Sequence, residues 1–151
     1  MNANINKPDS VRNAVALLYC ATGIFAVTSI FHELLLLQDQ TSLYIGISID
    51  IFWTCVSLFL ICMIGKGKNW ARITLLALFI IFFVAGLVDG FLELGWFKDM
   101  MPGEPSLELA VSVFYIIGLG MSVFALVLLF RTPSSHWFKE MAAARAQSVT
   151  R

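Results

Sequence analysis

Apolar residues fall along this chain in four long runs, with short polar breaks between them. The runs are roughly Val11–Leu37, Leu43–Ile64, Ile73–Phe97 and Leu107–Phe130. Each is long enough to cross a bilayer, which takes about 20 apolar residues in helical form. The breaks read "QDQTS", "GKGKNWAR" and "KDMMPGEPS", and Pro102, Gly103 and Pro105 make the last a turn-rich loop. No run alternates apolar with polar as a membrane strand would. In lipid every backbone group must be satisfied within the segment, so the runs are expected to be helices. The pattern predicts an all-α, integral membrane four-helix bundle formed by residues 1–151 as one transmembrane domain.

After the fourth run comes "RTPSSHWFKEMAAARAQ". Ser134 or Ser135 can cap a helix, and the alanines from Ala142 to Ala146 favour one. A cytoplasmic amphipathic helix is expected over about 134–147, lying on the inner membrane surface. Trp137, Phe138 and Met141 share one side of it, with Lys139 and Arg145 elsewhere. Trp137 and Phe138 are therefore assigned as interfacial anchors, with Trp70 their counterpart in the middle loop.

Composition agrees with this pattern. Hydrophobic residues make up 59% of the chain and charged ones 13%, with a mean hydropathy of +0.84. A water-soluble protein of this size could not hide so much apolar surface. The first run is longer than a signal-peptide h-region and no A-x-A-like site follows it, so it is expected to stay in the mature protein. Cys20, Cys55 and Cys62 lie inside apolar runs without a C-x-x-C pair, and are read as buried and inert.

Charge orients the helices. Lys7, Arg12, Lys66, Lys68, Arg72, Arg131, Lys139, Arg145 and Arg151 fall on one side of the four runs, and only Lys98 on the other. The positive-inside rule then puts both termini and the middle loop on the cytoplasmic side. Formal net charge is zero, so no nucleic-acid partner is indicated.

The chain also aligns with itself. Shifted by 60 positions, Arg12 meets Arg72, Leu18 meets Leu78, Phe31 meets Phe91, Glu33 meets Glu93 and Asp39 meets Asp99. "FHELLLLQD" lies over "FLELGWFKD". Duplication of a helical hairpin would relate the two halves by a pseudo-twofold axis along the membrane normal.

His32, Glu33, Asp50, Asp89 and Glu93 are the polar and ion-handling candidates. Glu33 and Glu93 sit about one turn below the outer surface, Asp50 and Asp89 about two turns. Asp89 and Glu93 share a helix face, so they must protonate, hold a cation or find a basic partner. Asp89 lies in "GLVDG", where Gly86 and Gly90 permit close helix approach; Gly118 and Ser122 offer a similar small-residue face on the fourth helix. Asp50 could share a proton with Asp89 where the two helices adjoin. An interhelical polar network is the first reading of these groups, and a proton or cation site the second.

No catalytic constellation is present: there is no phosphate-binding glycine loop, no H-E-x-x-H, and no histidine placed to activate a serine. No metal site and no cofactor are expected, because His32 alone is thin support for either. The segments "SVRNAVALLY", "GKGKNWARITLL" and "SSHWF" together resemble the small uncharacterised four-helix bacterial inner-membrane proteins. That resemblance implies a fold and a topology and leaves activity open.

The expected function is that of a non-enzymatic membrane protein acting through protein partners in the lipid bilayer. It would be an accessory or assembly subunit of a membrane complex, or an immunity-type protein, through another membrane protein or self-association. The alternative is a small transporter or channel moving a proton or cation through the outer carboxylates.

Overall fold

The computed structural model describes residues 7–36, 40–93 and 105–149. All of its regular structure is helical: α1 (Asp9–Leu36), α2 (Gln40–Gly65), α3 (Asn69–Glu93), α4 (Pro105–Phe130) and α5 (Thr132–Val149). By length and composition, three stretches can cross a membrane: Asp9–Phe31, Leu43–Gly65 and Val113–Phe130. The protein is a helical membrane protein. In α3, the expected fourth crossing, the described apolar stretch is the shorter Asn69–Ala85.

The helix ends follow from local chemistry. Pro8 cannot continue a helix backwards, but its carbonyl accepts from the Val11 and Arg12 amides at 3.0 and 3.1 Å and so starts α1. Asp9 in the first turn complements the positive end of the helix dipole. At the far end of α2, Gly67 adopts a φ of 73°. Its amide reaches back to the Ile64 carbonyl at 2.9 Å, and that of Lys68 to Met63 at 3.0 Å. This is the paired C-terminal closure that a left-handed residue makes available. Pro133 has no amide to donate, so α4 stops and α5 begins, with Pro133 in the tolerated first turn.

α1 is the central element. Its most extensive seam is with α4 and the next with α2, while α2 in turn adjoins α3. α5 lies across one end of the group and touches α4, α1 and α3. Lys7, Arg12, Lys66, Lys68, Arg72, Arg131, Lys139 and Arg145 gather there, so it is called the basic end below. A twofold pair of hairpins would give α3 a seam with α4 like that of α1 with α2. Among the described residues α3 packs mainly on α2 instead.

Buried side chains concentrate at the basic end, where Val11, Leu18, Ile61, Ile64, Leu129 and Phe138 form one cluster. Along the spans, large apolar residues such as Ile51, Ile81, Ile116 and Phe124 point outward. Lipid tails are as apolar as leucine, so only close packing holds the helices together there. Gly118 supplies it at the α1–α4 crossing: a Cβ would meet the Phe25 ring at 3.1 Å. Phe25 is itself held edge-on by Tyr115, with ring centroids 5.3 Å apart.

Two expectations need correction. Trp137 and Phe138, assigned as lipid anchors, are only 4% and 1% exposed and belong to the protein core. α5 is more polar than the spans, and docking its few large apolar side chains on the bundle removes them from water, at about 1.5–3 kcal/mol for each one buried. Cys20, Cys55 and Cys62 are free and exposed on the apolar surface of the helices, not buried.

Candidate functional site

Two polar regions stand at opposite ends of the α1–α2 pair. At the end away from α5, the Glu33 side chain from α1 lies directly on Gly46 of α2. A Cβ at position 46 would fall 2.5 Å from Glu33 Oε2 and 2.8 Å from Oε1, so the carboxylate in this position lies against the bare glycine backbone. Asp50 follows one turn along α2 on the same face. Its Oδ2 is buried and has no hydrogen-bond partner among the described residues. The α1–α2 seam therefore holds one half-buried carboxylate against backbone and a second with an unsatisfied oxygen. Carboxyls so placed can share a proton or hold a cation.

The seam joins Glu33 to Gly46 of α2, one turn from Asp50; the alignment made Glu93 its equivalent position in the second hairpin. The side chains of His32, Asp89 and Glu93, and the surroundings of Gly86 and Gly90, lie outside the described residues. Gly118 and Ser122 both fall on the α1–α4 crossing; the Ser122 hydroxyl donates to the Gly118 carbonyl at 2.9 Å. Among the described residues no group of three His, Cys, Asp or Glu is placed to hold a metal ion.

The basic end is the more highly organised region. Arg72 near the start of α3 donates from Nη1 to the Leu129 carbonyl at 3.2 Å and to Ser135 Oγ at 3.3 Å. Its guanidinium lies over the Phe138 ring at 4.7 Å and the Phe130 ring at 5.0 Å. One side chain thus ties α3 to both α4 and α5. Arg145 donates from Nη2 to the Gly67 carbonyl at 2.5 Å and to that of Lys66 at 3.1 Å. These carbonyls lie at the negative end of α2, where a cation is favoured. Ser134, fully buried, donates to the Leu128 carbonyl at 2.7 Å. That uses its only proton, so Ser10 must be the donor in the 2.8 Å contact between the two hydroxyls.

Sequence reasoning counted Arg72 and Arg145 only as topology charges and expected a serine cap at α5. Ser134 instead sits inside α5 and closes the α1–α5 contact. A signal for Gly67 was present in "GKGKN", a glycine just after an apolar run. Lys7 also reaches this end, with Nζ 3.7 Å from the Cβ position of Gly65. Loss of water there lowers its pKa below the usual lysine value.

Two open grooves mark the apolar surface. One, of about 460 Å³, is lined along a single face of α2 by Tyr44, Ile45, Ser48, Ile49, Phe52 and Trp53. The other, of about 420 Å³, runs between α1 and α4, lined by Asn13, Ala16, Leu17, Cys20, Phe124 and Leu128. No protein-family model, no curated protein and no solved structure matches the chain.

Proposed function

We propose that this is a non-enzymatic integral membrane protein acting through protein partners, as an accessory or assembly subunit or an immunity-type protein. The observation that carries the reading is the aromatic furrow on α2. Trp53 stands in the middle of that helix, roughly 19 Å from either end at the helical rise. Tryptophan favours the bilayer interfaces, where its N–H is hydrated, over the hydrocarbon centre. Here it is 37% exposed and packs edge-on against Phe82 of α3, 4.8 Å between centroids. With Tyr44, Ser48 and Phe52 it makes a face of rings and a hydroxyl suited to another transmembrane helix.

In this reading α3 is a fourth crossing, since its 25 residues span about 37 Å at the helical rise. The basic end faces the cytoplasm of a bacterial inner membrane. The two hairpins descend from one duplicated unit, as the pairs Arg12/Arg72 and Glu33/Glu93 indicate. The second reading, a proton or cation transporter, is favoured by one observation, the unsatisfied Asp50 oxygen near Glu33.

Purification in mild detergent separates the two. A stoichiometric companion is expected with the wild-type chain and is lost in Ser48→Trp, which fills the furrow, and in Trp53→Ala. Recovery of the chain by itself would sink the partner reading. Single Glu33→Gln, Asp50→Asn, Asp89→Asn and Glu93→Gln variants that abolish flux in vesicles while leaving the fold intact would establish the transporter.

A further inference from the structure

The groove between α1 and α4 differs from the furrow on α2 in its neighbourhood: its Asn13 wall follows Arg12 in the chain, at the basic end. Two fixed points set the register of these helices. Phe25 meets Gly118 near the middle of the two helices, and Ser10 bonds Ser134 just beyond the end of α4. The helices are therefore antiparallel, and the same register places Arg131, just past α4, level with Arg12 of α1. Both arginines are exposed.

Helical spacing puts Arg12, Asn13, Ala16 and Cys20 along one side of α1, and Phe124 and Leu128 along one side of α4, with Arg131 immediately after that helix. Moving from the basic end into the span, the order is the level of Arg12 and Arg131, then the Asn13 amide, then the apolar walls of the groove. That order of polarity is the order within a glycerophospholipid, phosphate first and acyl chain after. The N-terminus of α1 adds partial positive charge at the same level.

Asp9 opposes it, since its carboxylate pairs with Arg12 at 3.0 Å. The two side chains are 79% and 73% exposed, however. Such a pair is weak and easily exchanged, and a phosphate offers guanidinium the same two-pronged geometry with more charge.

We propose that the α1–α4 groove binds one anionic phospholipid. The phosphate lies between Arg12 and Arg131 with the Asn13 amide beside it. One acyl chain runs along Ala16, Leu17 and Cys20 against the Phe124 ring. The site depends only on the chain being embedded in a bilayer, and not on the partner function above.

Native mass spectrometry of the full chain in mild detergent tests this, with dioleoyl phosphatidylglycerol and dioleoyl phosphatidylcholine as probes. One phosphatidylglycerol should be retained in preference to phosphatidylcholine, by roughly tenfold for two surface cations partly offset by Asp9. Arg12→Gln/Arg131→Gln removes the preference, and Asp9→Asn raises it. Ala16→Phe, which fills the trough, lowers retention of the lipid with the unfolding midpoint unchanged. Lys66→Gln/Lys68→Gln, an equal charge loss at the same end, leaves the preference in place. Equal retention of the two lipids overturns the proposal, as does a Lys66/Lys68 effect as large as the Arg12/Arg131 effect. Competition by glycerol 3-phosphate as strong as by the lipid overturns it too, because the trough would then contribute nothing. Should the arginine variant fail to fold, Asp9→Asn and Ala16→Phe decide the matter alone.

Discussion

Replacing Gly67 by alanine should destabilise the protein by roughly 2–5 kcal/mol, the sum of a backbone cost and a contact cost. Gly67 has a φ of 73°, where a residue with a Cβ costs about 1–2 kcal/mol. The new Cβ would also lie 3.1 Å from Met141 Cγ, 3.1 Å from Trp137 Cη2 and 3.2 Å from Met141 Cβ. These are not free ends. Met141 Cβ is fixed to the α5 backbone, and Trp137 is buried in the core. Relief requires α5 to lift, which stretches the Arg145 bonds to the Gly67 and Lys66 carbonyls; overpacking of this kind costs about 1–3 kcal/mol.

Unfolding in mixed micelles titrated with dodecyl sulfate, followed by tryptophan fluorescence, measures the loss. Two further variants divide it. Gly67→Asn tolerates the left-handed backbone better and should recover about 1 kcal/mol while keeping the contact. Met141→Ala in the Gly67→Ala background should recover part of the contact cost, a coupling that a double-mutant cycle isolates. If Gly67→Ala were as stable as wild type, or gained the 0.4–1 kcal/mol typical of a compatible glycine site, the close docking of α5 on this turn would be refuted.

Two other substitutions probe the same architecture by the same assay. Arg72→Lys keeps the charge but loses the planar fork that reaches Leu129 and Ser135 and stacks on two rings. Because Arg72 is part-exposed, a loss of only about 1–2 kcal/mol is expected, and a lysine variant of unchanged midpoint would mean the charge alone matters. Gly118→Val drives a branched side chain into the Phe25 ring, which Tyr115 prevents from turning aside. It should cost about 2 kcal/mol or separate α1 from α4, and a neutral result would show that crossing to be loose.

The helical character of the five elements among the described residues, and a membrane setting, were legible in the chain itself. The physical reason is that lipid offers no hydrogen bonds, so a span must be an unbroken apolar helix, and that is a one-dimensional property. Glycine after α2 and proline in the first turn of α5 mark their boundaries by backbone chemistry that needs no neighbours.

What the tertiary structure decided was which surfaces meet. In water, an apolar stripe announces the buried face of a helix, but a helix surrounded by lipid is apolar all round and carries no such mark. Nothing in the chain alone therefore marks Gly46 as the surface that Glu33 meets. Trp137 and Phe138 read as lipid anchors because an amphipathic segment suits a membrane surface and a protein surface equally well. Only the arrival of four helix ends around the same point gave α5 a core to enter, and turned Arg72 and Arg145 from topology charges, and Ser134 from a cap, into the fastenings of that end beside Gly67.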